Sequence, residues 1–259
     1  MVVADLHVHT ANSDGTLDLD ALPSAAREAG VRVVAVTDHD RLHPALDAPV
    51  VHAEGVTVVH GIELRVESGA GEVDLLGYAA RPSDALAAEL DRIQSNRIER
   101  AREMVARIEA REGVDLDVAF EPGVGRPHVA RAVERSAAPY DYDGAFEHLI
   151  GGDCPCYVPR AIPSFERGVD LLGEACGLVS LAHPLRYDDP EAALALCADL
   201  DAVEYHYDYG REVDRRPVER AIDRHGLAIT GGSDAHDDRL GRAGLDRREY
   251  RAFRDRVRL

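Results

Sequence analysis

His7 and His9 stand two residues apart in the run Asp-Leu-His-Val-His-Thr. In an extended strand, residues i and i+2 point to the same side, so both imidazoles can grip one metal ion. A single pair of this kind means little. Further potential ligands follow: Asp14, Thr37-Asp38-His39-Asp40, Gly61-Ile62-Glu63, Asp74, His183-Pro184 and Ser233-Asp234-Ala235-His236. Nearly all lie in, or just beyond, a short apolar run, and structural histidines have no physical reason to collect there. Mixed imidazole and carboxylate ligands suit divalent ions. Two such ions about 3.5 to 4 Å apart can orient and activate a water for hydrolysis, so the residue types and their spacing point to a multi-metal site.

The elements that must position these residues read as repeated βα units. Seven strands are expected, over Val2–His9, Val31–Thr37, Val56–Ile62, Glu72–Tyr78, Gly177–Ala182, Ala202–Tyr207 and Leu227–Thr230, with helical patterns between most of them. Such alternation predicts an α/β parallel barrel whose site is built at the C-terminal ends of its strands. A first helix is expected over Leu19–Ala29, with Asp18 as N-cap and Gly30 as the stop. Residues 83–112 read as one long, charge-laced helix closed by Gly113, and 113 to about 160 as short helices and loops. The expected organisation is therefore a barrel over 1–82 and 161–259, interrupted by a helical insertion over 83–160 that caps the active site.

In this order the motifs His7-Val8-His9, Asp14-Gly15, Thr37-Asp38-His39, Gly61-Ile62-Glu63, Ala182-His183-Pro184 and Ser233-Asp234-Ala235-His236 resemble those of the polymerase and histidinol phosphatase (PHP) domains. Ser95-Asn96-Arg97, Gly125-Arg126-Pro127-His128 and Tyr157-Val158-Pro159-Arg160 resemble elements of the stand-alone PHP phosphoesterases. That resemblance implies a distorted (β/α)7 TIM-like barrel and two or three divalent ions, with Mn2+ favoured and Zn2+, Mg2+ or Fe2+ as alternatives. It places His7, His9, Glu63 and Asp234 on one ion, with Glu63 bridging to a neighbour completed by His236. Asp14, His39 and His183 would hold another. The motif His-x-Leu-Gly of the family reads Asp74-Leu75-Leu76-Gly77 here, so whether a further site forms depends on whether Asp74 acts as a ligand. A carboxylate there favours a harder ion than imidazole would.

The implied activity is metal-dependent hydrolysis of phosphate monoesters by an activated hydroxide, on a nucleotide such as a nucleoside 3',5'-bisphosphate. Three other readings stay open: a 5'-3' exoribonuclease acting on short RNA, a metal-binding regulatory module without catalysis, and another hydrolytic reaction such as amide or lactone cleavage. Glu63 and Asp234 are the expected catalytic carboxylates. Arg offers a planar fork that matches phosphate oxygens, so Arg126, His128 and Arg97 are the candidates for substrate binding. His128 is also placed to protonate a leaving alkoxide.

Composition narrows the partners. The 259 residues carry a formal charge of -18, from 48 acidic against 30 basic residues, and none of the latter is Lys. A net negative surface disfavours duplex DNA, and the 5% aromatic content without Trp offers little stacking for long single strands. No apolar run reaches 18 residues and the N-terminus lacks a secretion signal, so no membrane partner is expected and the location is read as cytoplasmic. Cys154, Cys156, Cys176 and Cys197 lack paired metal-ligand spacing and are expected to be reduced thiols. Abundant carboxylates with no Lys suit concentrated salt, where screening removes their mutual repulsion, and a halophilic host is expected. The midpoint of unfolding, followed by circular dichroism, should rise between about 0.2 M and molar KCl; greater stability in the dilute salt would contradict this reading.

Overall fold

In the computed structural model, which describes residues 1–257, the chain divides into two compact units. The first spans Met1–Ala88 and Ile162–Leu259, the second Glu89–Ala161. In chain order the main elements are β1 (Ala4–Val8), α1 (Leu22–Glu28), β2 (Val33–Val36), β3 (Val50–Ala53), β4 (Val56–Ser68), β5 (Gly71–Tyr78) and α2 (Asp84–Glu112). There follow α3 (Arg126–Arg135), α4 (Tyr142–Ala145), α5 (Phe165–Ala175), β6 (Leu178–Leu181), α6 (Pro190–Ala195), β7 (Ala202–Tyr207), α7 (Arg216–His225), β8 (Ala228–Gly232) and α8 (Arg247–Val257).

The first unit is mixed α/β, with a nearly closed, barrel-shaped sheet in the order β1-β2-β4-β5-β6-β7-β8 and β3 paired outside β4. Closure comes where Val8 bridges Ala235 and the His9 N–H donates to the Ala235 carbonyl at 2.9 Å. Successive side chains of a strand point to opposite faces, and β2 is apolar throughout because both of its faces are buried. On β2, Val33 and Ala35 pack with Leu6, Val59, Leu76 and Tyr78, whereas Val34 and Val36 pack with Leu22 and Ala26 of α1.

Three expectations need correction. The sheet is not wholly parallel, because β5 runs antiparallel to both β4 and β6. The cause is local: β4 continues to Ser68, beyond the expected end at Ile62, and turns back through Gly69-Ala70 into a hairpin, which only antiparallel strands can form. Glu63 therefore lies inside a strand. An eighth strand, β3, was not anticipated. It is joined to β4 by Glu54-Gly55, both with positive φ, the backbone of a tight primed turn. Finally, α1 starts at Leu22 rather than Leu19 and its N-cap is Ala21 rather than Asp18: the backbone carbonyl of Asp18 accepts from the Ala21 and Leu22 N–H groups in a preceding turn, and Pro23 presets the first helical turn.

Two buried carboxylates tie down the loops that follow β1, β2 and β8. Asp38 accepts from the Thr10 N–H (2.7 Å), Thr10 Oγ1 (2.8 Å), Ser13 Oγ (2.8 Å) and Asn12 Nδ2 (2.9 Å). Asp5 accepts from the Ser233 N–H (2.8 Å), Ser233 Oγ (2.6 Å) and the Gly241 N–H (2.7 Å). Hydrogen bonds to a charged group contribute about 1.5 to 3 kcal/mol each, whereas an exposed pair such as Arg27 with Glu54 contributes about 0 to 1. The buried carboxylates thus dominate the positioning of these loops.

The long helix runs over Asp84–Glu112, within one residue of the expected 83–112, and from Glu89 onward it belongs to the second unit. Its Ala101, Met104, Val105 and Ile108 pack with Val129 and Val133 of α3 and with Leu149 and Ile150. Gly232, in the first unit, is the tightest point beside the site, since a Cβ there would overlap the backbone and Cβ of His7. Gly232→Ala should lower stability by roughly 1 to 3 kcal/mol in urea unfolding, with loss of metal binding; an unchanged midpoint would contradict the packing.

Candidate metal centre

Glu63 sits at the middle of β4, 1% exposed, with four imidazoles around its two oxygens. His39 Nδ1 lies 2.7 Å from Oε2, His183 Nε2 3.0 Å from Oε1, His9 Nε2 3.3 Å from Oε2 and His7 Nε2 3.4 Å from Oε1. Asp234 Oδ1 is 3.0 Å from His9 Nε2 and 3.5 Å from His7 Nε2. Asp14 lies 3.4 Å from His236 Nε2 and 3.9 Å from His39 Nε2, and Asp74 Oδ2 is 3.7 Å from His183 Nε2. Every expected ligand is thus brought into this one region of the first unit.

Among the described residues, three groups have ligand atoms within 4.8 Å of one another: His9, Asp14, His39 and His236; His7, His9 and Glu63; and Glu63, Asp74 and His183. Their composition differs from the expected partition. His236 falls with Asp14 and His39, while His183 falls with Glu63 and Asp74. His183 and Asp234 hold positive φ of 28° and 51°, a strained backbone that survives only where its surroundings fix it.

The electrostatics follow from packing acids among imidazoles away from water. Burial opposes the charging of His7, but Glu204, Asp234 and Glu63 outweigh it and raise its pKa well above the ordinary value. His9 goes the other way, because burial and the neighbouring His39 and His236 disfavour a further positive charge. Burial would raise Glu63 and Asp14, yet the adjacent imidazoles, led by His39 in both cases, hold both carboxyls well below the usual range. Despite this crowding, His7 Nε2 and His9 Nδ1 are buried without a hydrogen-bond partner. Orphaned buried polar atoms are costly. A divalent ion satisfies several inward-facing lone pairs at once, so the residues present fit the metal that the motifs imply.

Several side chains that contact the cluster lie outside the sequence motifs. Glu204, fully buried on β7, lies 3.1 Å from His7 Nδ1 and accepts from the His183 N–H at 2.7 Å. It fixes the outer nitrogen of one ligand and the backbone of another, the usual support of a metal-binding imidazole. A charged residue at the centre of the apolar run Ala202–Tyr207 was its only signal in the sequence. Tyr207 donates its hydroxyl to Asp234 Oδ2 at 2.8 Å, and Arg186 Nη1 reaches the same oxygen at 3.2 Å. Arg65 grips Asp74 through Nε (2.7 Å) and Nη2 (2.6 Å).

Arg97, Arg126 and His128 belong to the second unit. Arg97 is buried and donates to the carbonyls of Val124 (2.9 Å) and Gly123 (3.3 Å), which braces the turn leading into α3. His128 Nδ1 accepts from the Gly125 N–H at 3.2 Å, which puts the hydrogen of a neutral ring on Nε2. Arg126 lies over the rings of Phe146 and Tyr157. If Glu204 orients His7, then Glu204→Gln should weaken Mn2+ binding about 10- to 100-fold in calorimetric titration while the fold stays intact; unchanged affinity would leave Glu204 a purely structural acid.

The model of the PHP domain matches residues 5–142. A 3',5'-nucleoside bisphosphate phosphatase from Chromobacterium violaceum is 31% identical over 91% of this chain and 88% of its own. A 5'-3' exoribonuclease from Salmonella typhimurium is 30% identical over 91% of this chain and 85% of its own. A crystal structure from Bifidobacterium adolescentis, 24% identical, superposes with a TM-score of 0.80 over 98% of this chain and 96% of its own, and shares the fold. On the family match, the similarity to the phosphatase and the ordered ligand motifs, the chain belongs to the PHP domain family.

Proposed function

We propose that this PHP-family chain is a metal-dependent phosphoesterase that removes phosphate from a small nucleotide, a nucleoside 3',5'-bisphosphate being the favoured substrate. The observation that carries the reading is the buried Glu63 with four imidazoles at its two oxygens and unpartnered ring nitrogens on His7 and His9. Carboxylates on Asp14, Glu63 and Asp234 among the ligands favour Mn2+ over softer ions. Four free cysteines fit a reducing cytoplasm. No helix among the described residues is long and apolar enough to cross a membrane.

Divalent ions, when bound, supply Lewis acidity and lower the pKa of water toward neutrality. The chain's own residues do the rest. Glu204 keeps the His7 ring turned so that Nε2 faces inward, toward Glu63 and Asp234. Glu63 presents one oxygen to His39 and His9 and the other to His183 and His7, so a single carboxylate can serve two neighbouring ligand groups. Tyr207 stays protonated, because burial and the adjacent Asp234 both oppose its ionisation, and so it remains a donor that fixes Asp234. On the resemblance of Gly125-Arg126-Pro127-His128 to elements of the stand-alone PHP phosphoesterases, we assign Arg126 and His128 to phosphate binding, for which a guanidinium fork and a ring N–H are suited.

An exoribonuclease is the second reading, and it rests on the similarity to the Salmonella enzyme. Competition between a labelled oligoribonucleotide and a bisphosphate mononucleotide separates the two. With Mn2+ in molar KCl, the wild type should release inorganic phosphate from a nucleoside 3',5'-bisphosphate. Asp234→Asn should lower kcat/KM by at least about 100-fold while leaving the circular dichroism spectrum unchanged. Equal turnover by wild type and variant would sink the assignment, as would no turnover by either.

A further inference from the structure

Of the three ligand groups, the one formed by Glu63, Asp74 and His183 has a cation of its own. The pairing of β4 with β5 sets Arg65 directly opposite Asp74 and two residues beyond Glu63, hence on the same face. Arg65 donates through Nε to Asp74 Oδ1 and through Nη2 to Asp74 Oδ2, so both oxygens of the carboxylate are engaged. The pair is also held by the backbone. The Arg65 N–H donates to Asp40 Oδ1 at 3.1 Å, and the Asp74 N–H donates to the Tyr187 hydroxyl at 2.9 Å. Asp74 is 1% exposed, so its charge cannot be left to water.

The other two groups set their carboxylates beside imidazoles. Asp14 and Glu63 meet imidazoles, which can give up their protons and turn their lone pairs to a metal; a guanidinium stays charged at any relevant pH and offers no lone pair. We propose that Arg65 takes the place of a third divalent ion. The chain binds two ions, on the group of His9, Asp14, His39 and His236 and on the group of His7, His9 and Glu63, while Glu63, Asp74 and His183 are closed to metal. An ion entering there would have to break two charge-assisted hydrogen bonds and sit beside a permanent positive charge. The inference rests on the metal-centre reading above.

Counting ions on the full chain tests it. The protein, stripped with a chelator, is saturated with Mn2+ in molar KCl, and bound metal is measured by mass spectrometry and calorimetric titration. The wild type should hold two ions per chain. Arg65→Met, which releases both Asp74 oxygens, should hold three. Should that variant fail to fold with its buried acid unpaired, Arg65→Met/Asp74→His, which removes the acid and supplies an imidazole, should hold three instead. Three ions on the wild type, or two on a folded variant of either kind, would overturn the role of Arg65. Fewer than two on the wild type would overturn the metal centre itself, so the two failures are distinguishable.

Discussion

Everything about the first unit turns on one constraint: a carboxylate, Glu63, is held in the interior of the barrel among four histidines. Isolated, a buried carboxylate would cost several kcal/mol and would protonate instead. Here the surrounding imidazoles reverse that outcome and keep Glu63 ionised. The remaining acids repeat the solution on a smaller scale, with Asp14 against His236 and His39, and Asp234 against His9 and His7. Such packing stores electrostatic free energy that a metal can use, because its ligands are already desolvated and aimed.

The scaffold serves that constraint directly. A register shift between Asp5 and Val8 of β1 lies where His7 emerges, and bulges of this kind re-aim side chains beside functional sites. Asp5 and Asp38 then bind the loops carrying Ser233 and Asn12, and the positive φ at His183 and Asp234 shows how far the backbone is bent to bring ligands inward. Gly232 permits the close approach of β8 to His7. Helices of the unit contribute apolar packing, as Leu22 and Ala26 do against Val34 and Val36, rather than chemistry.

Much of this was legible in the sequence, and the failures have physical causes. The clustering of these His, Asp and Glu side chains was readable because strand periodicity and strand ends constrain where they can meet. Their grouping was not, since it depends on three-dimensional distances: His236 and His183 exchanged expected partners. Glu204 carries no motif around it. Arg65 became meaningful only once β4 and β5 were known to be antiparallel, which put it opposite Asp74; a parallel sheet would have paired neither. Strand β3 was hidden in four residues, although the two-residue Glu54-Gly55 turn between apolar runs was its available signal. The long helix was read within one residue because its buried Leu86, Leu90, Ile93, Arg97 and Met104 keep helical spacing.

The central claim is that the imidazoles around Glu63 form a metal centre. A crystal of the protein grown with Mn2+, measured on both sides of the manganese absorption edge, addresses it most directly. Anomalous difference peaks should appear within bonding distance of Glu63, with His7 and His9 among their ligands. A map with no peak at Glu63, or with peaks only at other carboxylates of the surface, would contradict the account.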